Sequence, residues 1–91
     1  ERALRVGLVS EVVPDDKMEE AVRPYLDEML TTSPLGLRMT KECLNMSVDA
    51  GSLEAAVVME DRNQILCAQT ADFGEGIRAF LEKRRPDYKD A

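Results

Sequence analysis

The 91-residue sequence contains no histidine, so it lacks the side chain that most often serves as general base or metal ligand near neutral pH. Cysteine is scarce: only Cys43 and Cys67 are present. Their spacing fits no zinc motif and both fall in expected helices. Reduced core thiols in a cytosol-like compartment are therefore expected, with neither a disulfide nor a metal site. A basic field is missing as well. Twelve Lys and Arg face eighteen Asp and Glu, for a net charge of −6, which argues against nucleic acid as a partner. No run approaches the ~18 apolar residues of a membrane span, and no signal or transit pattern opens the chain. Repeats, low-complexity segments and linkers are absent too. What remains is a single small domain, residues 1–91, with little margin for a self-sufficient core. Because it opens on Glu1 in helical-looking sequence, a longer protein around it is expected.

The pattern along the chain is nearly all helical. Residues 1–6 read as the last turns of a helix, with Gly7 in the left-handed position past its end. Leu8 to Val13 is apolar and β-branched between Gly7 and Pro14, which predicts a short strand. No second strand follows to pair with it, so residues 1–14 are expected to be the end of a preceding core. Helices fill residues 15–91. Asp16 and Glu19 are placed for a capping box, and Met18, Ala21, Val22, Tyr25, Leu26 and Met29 make one apolar stripe. Pro24 falls on the opposite face, where it is expected to kink the helix. Ser33-Pro34 caps and starts the next helix, to about Asp49, and Ser52 caps another that runs to about Thr70. Both are apolar on two sides, which in so small a domain points to a subunit interface. Lys41 lies within an apolar stripe and is expected to extend its ammonium to the rim. Glu60 and Gln64, at i and i+4, lie in another and are expected to find hydrogen-bond partners.

Thr70 to Pro86 carries the most information. Asp72 and Glu75 have capping-box spacing, so a helix is predicted from Asp72. Phe73, Gly76, Ile77, Phe80 and Leu81 form its apolar stripe. Lys83, Arg84 and Arg85 are placed in its last turn, where positive charge suits the helix dipole, and Pro86 ends it. Phe80 and Lys83 are then helix neighbours at i and i+3. An aromatic ring beside an ammonium suits an adenine with a nearby phosphate.

The run Asp-Phe-Gly-Glu-Gly-Ile-Arg-Ala-Phe-Leu-Glu-Lys-Arg-Arg-Pro, residues 72–86, resembles the C-terminal signature of the enoyl-CoA hydratase/isomerase (crotonase) superfamily. The resemblance extends in order over nearly the whole chain. It takes in Ala3 with Gly7-Leu8-Val9 and Val12-Val13-Pro14, then Ser33-Pro34, Thr40-Lys41, Leu44-Asn45, and the Glu60…Gln64 pair. Tyr88 stands where the family often has Phe. The pattern along the chain gives a mainly α fold, one short strand followed by four helices, and the resemblance implies that this is the helical segment at the C-terminal end of a crotonase-like fold. It implies self-association, as a trimer or a dimer of trimers in the parent protein, and an acyl-CoA thioester as the parent's substrate in β-oxidation-type chemistry. No covalently bound cofactor, nucleic acid or membrane is implied. Phe80 and Lys83 match the family residues that help hold the adenine and 3′-phosphate of CoA, commonly from a neighbouring subunit. The oxyanion hole and catalytic glutamates of the family lie upstream of the region matching Glu1, so no catalytic residue is assigned and the chain alone is expected to be inert. A cytoplasmic location follows by the same resemblance, or the mitochondrial matrix in a eukaryote.

Two other classes compete. An acyl-carrier-like protein would also be small, acidic and helical, with a phosphopantetheine serine at a helix start. Gly51-Ser52-Leu53 suits that faintly, without the expected Asp before the serine. A helical interaction module without a ligand would show the same folding and no response to CoA.

Overall fold

A computed structural model describes residues 1–91. Five helices and one 3-10 turn account for its regular structure: α1 (Arg2–Arg5), the turn Asp15–Lys17, α2 (Met18–Met29), α3 (Pro34–Ser47), α4 (Leu53–Ala68) and α5 (Ala71–Glu82). Two compact units divide the chain, Glu1–Leu30 and Thr31–Ala91. No helix is long and apolar enough to cross a membrane.

In the first unit α1 ends as the glycine predicts. Gly7 has φ +75°. The Leu8 N–H donates to Ala3 O at 2.8 Å and the Gly7 N–H to Leu4 O at 3.1 Å, the paired bonds of a Schellman motif. The predicted strand is not there. Residues 8–13 form no ladder, because a strand exists only through a neighbour's backbone and no other segment of this chain is extended beside it. Instead residues 9–13 share a hollow with Met18, Ala21, Val22 and Tyr25, the stripe of α2. The Tyr25 hydroxyl donates to a Glu11 carboxylate oxygen at 2.8 Å. The mainly helical reading therefore holds while its strand is withdrawn. Asp16 makes no cap: it lies within the 3-10 turn, and α2 begins at Met18.

The second unit starts where Ser33 and Pro34 place it. Ser33 Oγ accepts from the Gly36 N–H at 3.4 Å, and proline occupies the first turn, where its missing N–H leaves no helical bond unmade. Ser52 Oγ accepts from the Ala55 N–H at 3.1 Å and begins α4. Between α3 and α4 the buried polar group is Asn63, 3% exposed. Its amide donates to Cys43 Sγ at 3.2 Å and its carbonyl oxygen accepts from Arg62 Nε at 3.0 Å. Arg62 also reaches Glu42 at 2.5 Å. Glu60 and Gln64, the pair expected to be buried, are exposed. Their neighbour Asn63 takes the inward position on that helix.

The apolar faces are largely uncovered. Ala79 is the only buried hydrophobic residue in the chain, at 2% exposure. Met18, Leu26 and Met29 on α2, Leu44 and Met46 on α3, and Phe73, Ile77 and Leu81 on α5 all remain exposed.

Candidate functional site

The site is built at the two ends of α5. Its N-terminus is capped by Thr70, whose Oγ1 accepts from the Phe73 N–H at 3.2 Å and donates to Cys67 O at 2.6 Å. Asp72 is thus inside the helix and is not its cap. Its side chain is instead directed at the end of the chain. One carboxylate oxygen accepts from the Lys89 N–H and the other from the Asp90 N–H, each at 2.8 Å. The Asp72 N–H returns a bond to Ala91 O at 2.8 Å. Asp72 is 3% exposed, so these bonds satisfy a carboxylate that burial alone would penalise. They also place negative charge in the first turn of α5, where the helix dipole favours it.

Residues 86–91 therefore lie as a strap along α5. Arg38 on α3 holds the strap from the other side, through a two-pronged pair with Asp90 at 2.7 and 3.1 Å. These bonds hold Asp90 ionised below its ordinary carboxylate range. Tyr88 lies against Gly76, where a Cβ built on the glycine would lie 3.0 Å from the tyrosine hydroxyl. With Ser33, Phe73, Ile77 and Phe80, these residues line a hollow of about 470 Å³.

The C-terminus of α5 departs from the sequence expectation. The helix stops at Glu82, and Lys83 turns left-handed, with φ 54° and ψ 42°. The Arg84 N–H donates to Ala79 O at 3.0 Å and the Lys83 N–H to Phe80 O at 3.3 Å. This is the arrangement seen at Gly7, now with lysine in the place glycine usually takes. Lys83, Arg84 and Arg85 consequently lie beyond the last turn. Only Arg84 of the three is ion-paired: it meets Glu75 through two bonds, at 2.6 and 3.0 Å, and also Glu82. The Asp87 N–H adds a bond to Glu75 at 2.9 Å. Arg84 foremost, and then that backbone N–H, hold the Glu75 carboxyl down to about 2. Glu75 in turn raises the Arg84 guanidinium above its ordinary range.

Phe80 and Lys83 adjoin through a backbone bond and do not share one helix surface. Phe80 is 82% exposed. Lys83 sits just past the helix end, bonded through its N–H to the Phe80 carbonyl, and no ion pair engages its ammonium. Asp72, Glu75, Arg84 and Tyr88 hold the strap at this corner. The bonds that form it join residues 9 to 18 apart, beyond the reach of helical periodicity. The cysteines are free and half-buried, and both line a hollow between α3 and α4. No group of three His, Cys, Asp or Glu converges as a metal site would require. Ser52, on which the carrier-protein alternative turns, has its hydroxyl at the α4 cap.

Comparison with known proteins gives one consistent answer. The family profile described as enoyl-CoA hydratase/isomerase matches residues 1–91. The chain is 39% identical over 89 residues to 2,3-dehydroadipyl-CoA hydratase of Escherichia coli strain K12, covering 98% of this chain and 34% of that protein. It is 30% identical over 88 residues to 1,2-epoxyphenylacetyl-CoA isomerase of the same organism, covering 97% and 33%. Among solved structures, enoyl-CoA hydratase from Bacillus anthracis superposes with a TM-score of 0.89 at 31% identity, over 99% of this chain and 34% of that one. The chain thus spans about a third of the length of the relatives it matches.

Proposed function

The chain belongs to the enoyl-CoA hydratase/isomerase family and matches the C-terminal portion of its fold, and from that premise we propose that it is the oligomerisation and CoA-tail-binding segment of a protein acting on acyl-CoA thioesters. The observation that carries the ligand half is the α5 terminus. Phe80 presents an exposed aromatic ring, and Lys83, three residues on and just past the helix end, carries an ammonium that no carboxylate neutralises. A ring offers a stacking face to adenine, and the ammonium a charge-assisted bond to a phosphate. The relatives' names, a CoA-thioester hydratase and a CoA-thioester isomerase, support the same ligand class. This segment then contributes binding at the nucleotide end, while the bond-making chemistry belongs to the remainder of such a protein.

The test uses the full-length protein with Lys83→Ala, titrated calorimetrically with CoA and with 3′-dephospho-CoA. An exposed charge-assisted bond contributes roughly 1 kcal/mol, so affinity for CoA should fall about fivefold. Affinity for the dephospho ligand should stay within about twofold, a difference of less than ~0.5 kcal/mol. Equal losses for both ligands, or none for either, would exclude the phosphate role.

The oligomerisation half rests on the uncovered apolar faces of α2, α3 and α5. Apolar helix faces left exposed in this way seek a partner, and a second copy can supply the same faces. The isolated chain is expected to sediment as an oligomer at tens of micromolar, about the range where stable self-contacts are populated. A sharp monomer boundary there would count against it.

A further inference from the structure

We propose that Glu75 is a positioning residue for Lys83: it fixes the left-handed turn from which the lysine ammonium reaches a ligand phosphate. The inference rests on the reading of Lys83 as a nucleotide-end contact. Lysine at a left-handed position is strained, since a Cβ there crowds its own backbone, and such conformations persist only where the surroundings over-determine them. The chain contains its own comparison. At the end of α1 the same pair of backbone bonds closes on Gly7, which has no Cβ to strain.

Beside the two backbone bonds that close the turn, one carboxylate adds to the over-determination at Lys83. Glu75 Oε1 accepts from Arg84 Nη1 at 2.6 Å and from the Asp87 N–H at 2.9 Å, while Oε2 accepts from Arg84 Nη2 at 3.0 Å. Glu75 thereby holds the Arg84 side chain and, on the far side of Arg85 and Pro86, the backbone N–H of Asp87, while the Arg84 N–H itself is bonded to Ala79 O at 3.0 Å. A right-handed residue 83 would redirect the chain that follows it, and the bonds to Arg84 and Asp87 oppose that redirection. Glu75 itself is anchored on α5, two turns before Glu82. Glu75 remains ionised across the working pH range, so the clamp does not release near neutrality. The nearby cation Arg78, at 3.4 Å, adds to the same field. Lys83 is left with a fixed origin and a free ammonium. A phosphate can then be met without first ordering the backbone, which is how preorganisation improves affinity.

The experiment measures dissociation constants for CoA and 3′-dephospho-CoA by calorimetry. It uses the full-length protein and its Glu75→Gln, Lys83→Ala and doubly substituted forms, with the thermal midpoint recorded for each. Glu75→Gln should weaken CoA about threefold to fivefold and leave 3′-dephospho-CoA within about twofold, and the double variant should bind CoA no worse than Lys83→Ala alone. Arg84→Lys, which keeps the charge but loses the two-pronged geometry, should fall between wild type and Glu75→Gln. If Glu75→Gln does not fold, Glu75→Asp and Arg84→Lys carry the same comparison. A loss equal for both ligands, or additive losses in the double variant, would overturn the inference and leave Glu75 a structural residue. If Lys83→Ala itself fails to distinguish the ligands, the underlying assignment of Lys83 falls and this inference with it. If Lys83→Ala distinguishes them and Glu75→Gln does not, the positioning role alone is lost.

Discussion

Asp72→Ala should release the C-terminal strap and lower the thermal midpoint by roughly 10–25 °C. The carboxylate is 3% exposed and accepts two backbone N–H bonds at 2.8 Å each, from Lys89 and Asp90. Hydrogen bonds to a charged group contribute about 1.5–3 kcal/mol each, and alanine supplies no acceptor in their place. Some of the loss is recovered as the freed N–H groups meet water, so a net of about 2–4 kcal/mol is expected. That is a large part of the total for so small a unit, since native stabilities run to roughly 5–15 kcal/mol. Hydrogen exchange locates the effect. The amides of Lys89 and Asp90 should lose protection by about thirtyfold or more, following the same ~2 kcal/mol. Asp90→Ala provides the contrast, because its pairing with Arg38 is between exposed side chains and should matter far less. A midpoint within about 2 °C of wild type for Asp72→Ala, well under the shift expected from 1 kcal/mol, would show that the strap is held by something else.

The helices were legible in the sequence where a local rule was sufficient. Ser33-Pro34 and Ser52 cap the helices they were expected to cap, and Gly7 takes the left-handed position its place implied. Each of these depends on residues within one turn. The misreadings share a different origin. Leu8 to Val13 has strand composition, yet composition cannot supply the neighbour that a ladder requires. Asp72 and Glu75 have the spacing of a capping box, but both carboxylates bond groups 9 to 18 residues downstream. Thr70 is left to cap the helix. Threonine directly before Ala71-Asp72-Phe73 was itself a readable N-cap signal. Likewise the basic run 83–85 suited a last turn electrostatically, whereas the two backbone bonds that close the helix set its end at Glu82. On α4, Glu60 and Gln64 had the periodicity of an inward face, and the position that turns in is Asn63. The ring and ammonium of the candidate site were visible by residue type. The bonds of Glu75 to Arg84 and Asp87 beside them were not, because they join residues 9 and 12 apart.

Lys83→Gly should move stability and binding in opposite directions. Lysine holds φ 54° at the position where Gly7 holds φ 75° in the matching turn. Glycine removes the Cβ strain of that conformation, a relief of about 1 kcal/mol, partly offset by the greater freedom of glycine in the unfolded chain. The thermal midpoint should therefore rise by up to about 4 °C. Lys83→Ala keeps a Cβ at the strained position and removes the ammonium, so it should match wild type or fall slightly below it. The two variants share the loss of the phosphate contact, and both should bind CoA about fivefold more weakly, with 3′-dephospho-CoA little affected. Stability should then rank glycine above lysine and alanine, while CoA affinity ranks lysine above both substitutes. A helix-dipole role for Lys83 makes a different prediction: an ammonium near the last carbonyls contributes about 0.3–1 kcal/mol, which glycine would forfeit. In that case glycine gains little or nothing in stability, and the two ligands respond alike. Thermal melts of the three proteins beside calorimetry with the two ligands decide between them. A glycine variant that is both less stable than wild type and unchanged in its preference for CoA over the dephospho form would remove Lys83 from the site.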